Sequence, residues 1–145
     1  MVYRKENDPF WISTDKTELN IEYIHAFLSQ SYWARAIPLD TVKASIEGSL
    51  CFGLYDKSQQ IGFGRVITDS ATFAYLADIF VDQAYRGHGL GKWLTASILA
   101  HPQLQGLRRL MLATKDAHGL YKQFGFSLPE DPSRLMVISR PFIGR

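Results

Sequence analysis

The residues from Tyr85 to Lys92 read Tyr-Arg-Gly-His-Gly-Leu-Gly-Lys, three glycines alternating with larger side chains between the cations Arg86 and Lys92. They follow an apolar run ending at Val81 and lead into Leu90, Leu94, Ile98 and Leu99 at helical spacing, so the loop opens a helix. Such a loop presents consecutive backbone N–H groups, and the helix dipole adds partial positive charge. A phosphate or pyrophosphate can be held there without a metal. Two nucleotide signatures fail on this stretch. The dinucleotide fingerprint requires glycine at its first, third and sixth positions, and counting from Gly87 and Gly89 the sixth is Lys92. The nucleoside-triphosphate loop requires Ser or Thr after its Gly-Lys; here Gly91-Lys92 is followed by Trp93, and Arg86 stands where the earlier glycine belongs.

Other residues have types and settings suited to chemistry. Asp78 is a lone charge within Tyr75-Leu76-Ala77-Asp78-Ile79-Phe80-Val81. A carboxylate there must be paired or face a cleft, so it is either a proton acceptor or the partner of an arginine or of backbone N–H groups. Tyr121 lies on the apolar side of a late helical segment, where a phenol is either a proton donor or a hydrogen-bonded core aromatic. Ser31 to Ile37 is a connection carrying Tyr32, Trp33 and Arg35, residues that line a ligand pocket or pack beneath the loop. His25, His88, His101 and His118 have no metal-site spacing, and no Gly-x-Ser-x-Gly elbow or Cys/His pairing supports a covalent nucleophile. Cys51, between Leu50 and Phe52, reads as a packed thiol.

The elements that must position these residues can be read in order. Phe10 to Ser13 suits a short strand. Asn20 caps a helix carrying Ile21, Ile24, Phe27 and Leu28, and Pro38 starts a shorter one carrying Leu39, Val42 and Ile46 that ends at Gly48. Three β-rich segments follow, Ser49 to Tyr55, Ile61 to Thr68 and Thr72 to Val81, with connections short enough for an antiparallel meander. Gly62 and Gly64 mark the middle strand for a bulge, a close approach or simple irregularity. The helix after the glycine loop ends at His101-Pro102, and Leu107 to Ala113 is a strand that a right-handed crossover places parallel to Thr72–Val81. Asp116 caps a last helix with Leu120, Tyr121 and Phe124, stopped by Gly125. Phe126 to Leu128 and Leu135 to Ser139 are expected as final strands.

At 145 residues, with 46% apolar and 21% charged residues, the chain is expected to form a single domain, 1–145, with one core. A net charge of +2 and no dense Lys/Arg patch argue against a nucleic-acid partner. No apolar run is long enough to span a membrane, and one cysteine with no signal-like start leads to the cytoplasm as the expected compartment.

Arg86, Gly89 and Gly91 satisfy Arg-x-x-Gly-x-Gly, which resembles the pyrophosphate loop of the GNAT superfamily of N-acetyltransferases. A second motif of that family, Asn-x-x-Ala-x-x-Leu-Tyr followed by Gly-Phe, is matched at Ala117, Leu120, Tyr121, Gly125 and Phe126, with Thr114 in place of the asparagine. The resemblance implies an α/β (α+β) fold, a mixed, mostly antiparallel sheet flanked by helices, whose central strands splay to admit acetyl-CoA as acyl donor. It further implies that Ile79, Phe80 and Val81 meet the pantetheine, and that Arg86, Gly87, His88, Gly89, Leu90, Gly91 and Lys92 hold the pyrophosphate. Thr114 stands at a CoA-contacting position. Tyr121 holds the place of the acid that protonates the thiolate, and Asp78 a place where some relatives carry the base. Tyr32, Trp33 and Arg35 fall where the family builds its acceptor pocket. The acceptor would be an amine, of a small molecule or of a peptide, attacked directly; a homodimer is compatible with the family. A non-catalytic acyl-CoA sensor is the competing class, and a nucleotide-binding protein a weaker third.

Overall fold

The computed structural model describes residues 1–142. Six strands form one sheet in sequence order: β1 (Arg4–Asn7), β2 (Phe10–Ser13), β3 (Leu50–Asp56), β4 (Gln59–Thr68), β5 (Phe73–Val81) and β6 (Arg109–Leu112). The first five pair antiparallel and β5–β6 is parallel, so the expected meander and crossover both form. Four helices flank the sheet: α1 (Ile21–Leu28), α2 (Leu39–Glu47), α3 (Leu90–Leu99) and α4 (His118–Lys122).

Strand alternation builds two cores and not the one core expected. Ile98 and Leu94 of α3 pack on Phe52, Leu54, Val66 and Leu76, whereas Ile24 and Leu28 of α1 and Val42 and Ile46 of α2 pack on Cys51, Phe63 and Phe80. Cys51 and Phe52 are neighbours in β3 yet belong to different cores, as the two-residue period of a strand requires. Burial pushes the Cys51 thiol up to about 11, in keeping with a packed side chain. The Asn20 side chain caps α1 by accepting from Tyr23 N–H at 3.0 Å.

Three further differences separate the structure from the sequence reading. β1 was not foreseen, because all four of its residues are exposed and polar, so its existence rests on backbone pairing to β2 rather than on an apolar pattern. Asp116 does not cap the last helix: Ala117 stands at its N-cap with no side-chain cap, and the Thr114 hydroxyl accepts from Ala117 N–H at 3.0 Å in the turn before it. Phe126–Leu128 and Leu135–Ser139 form no strands; among the described residues no strand pairs with them, and Leu128, Met136, Val137 and Ile138 stay exposed.

The glycines of β4 serve two different ends. A Cβ on Gly62 would lie 2.8 Å from the Phe80 carbonyl oxygen and 2.9 Å from Leu54 Cδ2, so the strands approach too closely there for a side chain. Gly64 lies where the β4–β5 register shifts: Phe63 pairs with Phe80 and Arg65 with Ala77, so one residue opposes the two residues Asp78 and Ile79. That is a β-bulge in β5. A Cβ on Gly64 would crowd the tip of Ile98, at 2.8 Å, and touch Ile79 Cγ1 at an ordinary 3.5 Å. Gly62→Ala should therefore cost about 1–3 kcal/mol through overpacking against backbone. Gly64→Ala should cost less, under about 1 kcal/mol, because the clash is with a side-chain tip and the unfolded chain loses entropy. Urea unfolding of the two variants checks the order.

Candidate active site

The site begins with strand lengths. β5 and β6 pair only from Phe73–Arg109 to Leu76–Leu112; beyond that β6 ends while β5 continues to Val81. The backbone of Ala77 to Val81 therefore has no strand partner on its β6 side. A cavity of about 1030 Å³ opens along it, lined also by Thr114 and Tyr121 from beyond β6, Trp33 and Tyr32 from the α1–α2 loop, and Arg86 and Gly91 from the glycine loop.

The bulge aims Asp78 into this cavity. The residue holds φ +56°, a left-handed conformation that Asp tolerates better than most side chains, and it leaves the alternation of β5 there. One carboxylate oxygen accepts from Arg65 Nε at 2.9 Å and the other from Trp33 Nε1 at 2.8 Å. Arg65 and Asp78 side chains are 15% and 9% exposed, and Arg65 also donates from Nη1 to Ser49 Oγ at 2.9 Å. Asp78 is therefore paired, and the same pairing ties the α1–α2 loop to the sheet.

The residue beside Trp33 is held as well. The Tyr32 hydroxyl accepts from Lys115 N–H at 3.0 Å, so the loop spans from Asp78 to the segment that precedes α4. Tyr121 lies on α4, buried to 9% exposure and edge-on to Phe126 at 5.9 Å. Burial, reinforced by the neighbouring Tyr32, raises its pKa above the usual phenol value, so it carries a proton across the ordinary pH range. Phe27 and Phe80 stack at 3.8 Å on the α1 side and make that wall apolar.

At the other end, Gly87 and Gly89 take φ +86° and +77°, and Gly89 caps α3, so the loop turns its backbone toward the helix start as the sequence required. Arg86 lines the cavity and donates from Nε to the Val81 carbonyl at 3.3 Å; His88 and Lys92 are exposed. Leu90 is buried in the α3 core, so only its backbone is available to a ligand. Thr114 lines the cavity, and its hydroxyl already accepts from Ala117 N–H in the turn before α4.

Among the expected residues, Asp78, Ile79, Phe80, Val81, Arg86, Gly91, Thr114, Tyr121, Tyr32 and Trp33 meet around one cavity. Arg35 does not line it and is exposed. Gly87, His88, Gly89, Leu90 and Lys92 lie at its loop end without lining it. Arg65 and Phe142 line the cavity and were missed. Arg65 had a signal: it and Asp78 are lone charges in adjacent apolar strands, and each needs a partner. Phe142 had none, since no periodic pattern surrounds it.

A splayed strand pair, a glycine loop at a helix start and a buried phenol converge on one cavity, and the comparisons agree with that geometry. The acetyltransferase (GNAT) domain family matches residues 47–128. The chain belongs to the GNAT family. It is an acyl-CoA-dependent N-acetyltransferase. A protein of Gibberella zeae, assigned by name only provisionally to the acetyltransferases, is 33% identical over 135 residues, covering 77% of this chain and 75% of that protein. A solved GNAT-family structure from Xanthomonas campestris pv. campestris is 50% identical, with TM-score 0.89 over 92% of this chain and 95% of that one. A GNAT acetyltransferase from Elizabethkingia anophelis, solved with acetyl-CoA bound, shares the fold at 14% identity and TM-score 0.66, over 86% and 80% of the two chains.

Because Asp78 and Arg65 are both largely buried, removing one strands the other. Arg65→Met should destabilise the GNAT fold by about 3 kcal/mol. Arg4→Met, which breaks the exposed Arg4–Glu6 pair, should change stability by less than about 1 kcal/mol. Equilibrium denaturation of both variants tests the contrast.

Proposed function

We propose that the chain transfers the acetyl group of acetyl-CoA to a primary amine of a small molecule, by direct attack, with Tyr121 as the general acid. The observation that carries this reading is the unpaired Ala77–Val81 backbone, which runs along a cavity from the glycine loop to Tyr121. An extended ligand rich in amides is suited to an open strand edge, and its pyrophosphate to the start of α3 with Arg86 beside it. Bound acetyl-CoA would supply an activated thioester carbonyl.

The residues of this chain then have separable tasks. Backbone N–H groups freed at the bulge near Phe80 polarise the carbonyl oxygen. Tyr121, kept protonated by burial, gives its proton to the departing thiolate as the C–N bond forms and the C–S bond breaks, and the proton lost by the amine restores the phenol through solvent. Asp78, with both oxygens engaged by Arg65 and Trp33, positions the loop that carries Tyr32 and Trp33 rather than acting as the base. Tyr32 and Trp33 form the acceptor side, where a small amine meets aromatic faces. A sensor that binds acyl-CoA without turnover would use the same cavity.

Acetyl-CoA should raise the melting temperature while ATP and NAD leave it unchanged, since only a ligand of the native state stabilises it. Steady thiol release with a panel of small amines separates the enzyme from the sensor; binding without release with any amine rejects the proposal. In the pH–rate profile, loss of the Tyr121 proton should set an alkaline limb above pH 10, the side to which burial moves it. Tyr121→Phe should lower kcat by about 10²-fold or more, with acetyl-CoA affinity little changed. Asp78→Asn should keep the acidic limb, and loss of that limb would make Asp78 the base.

A further inference from the structure

The walls of the acetyl-transfer cavity also select the body that carries the amine, an inference that rests on the acetyl-transfer reading. Its acceptor side is a continuous row of rings in the order Tyr23, Phe80, Phe27, Trp33 and Tyr32. Successive ring centroids lie 5.9, 3.8, 6.5 and 5.1 Å apart. Each heteroatom along the row has a protein partner. The Tyr23 hydroxyl donates to Asp82 Oδ2 at 3.0 Å, Trp33 Nε1 donates to Asp78 at 2.8 Å, and the Tyr32 hydroxyl accepts from Lys115 N–H at 3.0 Å. The row therefore offers a ligand mainly ring carbon, and Tyr32 and Trp33 keep 54% and 40% of their surface exposed for it to cover. Such faces attract a flat apolar group or an ammonium, not an anion.

The charges around the cavity point the same way. Among the described residues that line it, the cations are Arg65 and Arg86. Arg65 is neutralised by Asp78 and donates again to Ser49 Oγ, while Arg86 belongs to the glycine-loop end, where its Nε donates to the Val81 carbonyl. Asp116, an exposed carboxylate in the turn before α4, also lines the cavity. A carboxylate or phosphate on the acceptor would thus lose water, find no cation on the aromatic side to replace it, and share the space with Asp116. We propose that the acceptor is an arylalkylamine: a primary amine on a short alkyl arm, with an aromatic body and no anionic group. Its ring lies on the aromatic row, and its ammonium is drawn in by the rings and Asp116 before it gives up a proton to solvent and attacks. Amino acids and phosphorylated amino sugars carry the reacting group but also the charge that this wall rejects.

Matched acceptors separate the two features of the wall. In thiol release from acetyl-CoA, phenylethylamine should exceed ethylamine in kcat/KM by at least about tenfold, the worth of covering a phenyl group. Phenylalaninamide should exceed phenylalanine, which has the same shape with a carboxylate, by at least about tenfold. Gln30 lines the same side and is exposed, so Gln30→Lys adds a cation there without disturbing the core and should shrink the phenylalanine penalty by at least about threefold. Ethylamine as good as phenylethylamine, phenylalanine as good as its amide, or a penalty unchanged by Gln30→Lys each overturns the proposal. Failure of the acetyl-transfer reading looks different: no amine releases thiol, yet calorimetry in the presence of CoA still shows phenylethylamine and phenylalaninamide binding and phenylalanine binding at least about tenfold more weakly. Absence of that binding difference overturns the acceptor class whatever the chemistry does.

Discussion

A carboxylate inside an apolar strand must find partners, and Asp78 finds two that lie on different parts of the chain. Arg65 reaches it from β4 and Trp33 from the α1–α2 loop, at 2.9 and 2.8 Å. Leaving a largely buried charge unpaired costs several kcal/mol, so the three positions are coupled energetically as well as spatially. The bulge is what allows this. With two residues of β5 opposing Gly64, Asp78 can leave the pleat and take φ +56°, and Phe80 and Val81 resume pairing with β4 beyond the bulge. One local irregularity therefore places the loop aromatics over the cavity and keeps the strand in the sheet.

The cavity itself follows from a mismatch of lengths. β5 has nine residues and β6 four, and they begin together at Phe73 and Arg109. Five residues of β5 are left with backbone groups that need partners, and buried polar groups of this kind are satisfied by protein, water or ligand. Because β5 runs directly into the glycine loop, the unpaired edge and the positive end of α3 lie in line, one suited to amides and the other to phosphates. Tyr121 sits across the gap from this edge, buried enough to hold its proton. An acyl carrier with a long amide arm and a pyrophosphate matches that order of environments better than a compact nucleotide does.

How far the sequence could be read depended on the kind of constraint at each place. The meander, α1 to α3 and the parallel crossover were legible because each buries an apolar face whose period survives in the residue order, as with Ile24 and Leu28, or Leu94 and Ile98. The glycine loop was legible because Gly87 and Gly89 need backbone freedom. The Asp78 question was visible but not its answer, since a lone charge announces a partner without naming one. β1 was invisible because a fully exposed edge strand leaves no pattern. Arg35 was drawn to the site by its neighbours Tyr32 and Trp33, but a loop has no period to say which of its side chains turn inward.

The failure at residues 135–139 is of another sort. Leu-Met-Val-Ile-Ser has the composition of a strand, yet strand propensity measures how side chains fit a half-buried pleated surface, not an intrinsic habit of the backbone. Within one chain these residues are given no such surface: the preceding segment is held beside α4 and Phe142 is held on the α1–α2 core. Among the described residues one side of β6 has no strand. Apolar, β-branched composition without a paired, half-buried surface therefore does not make a strand, and Met136, Val137 and Ile138 stay exposed.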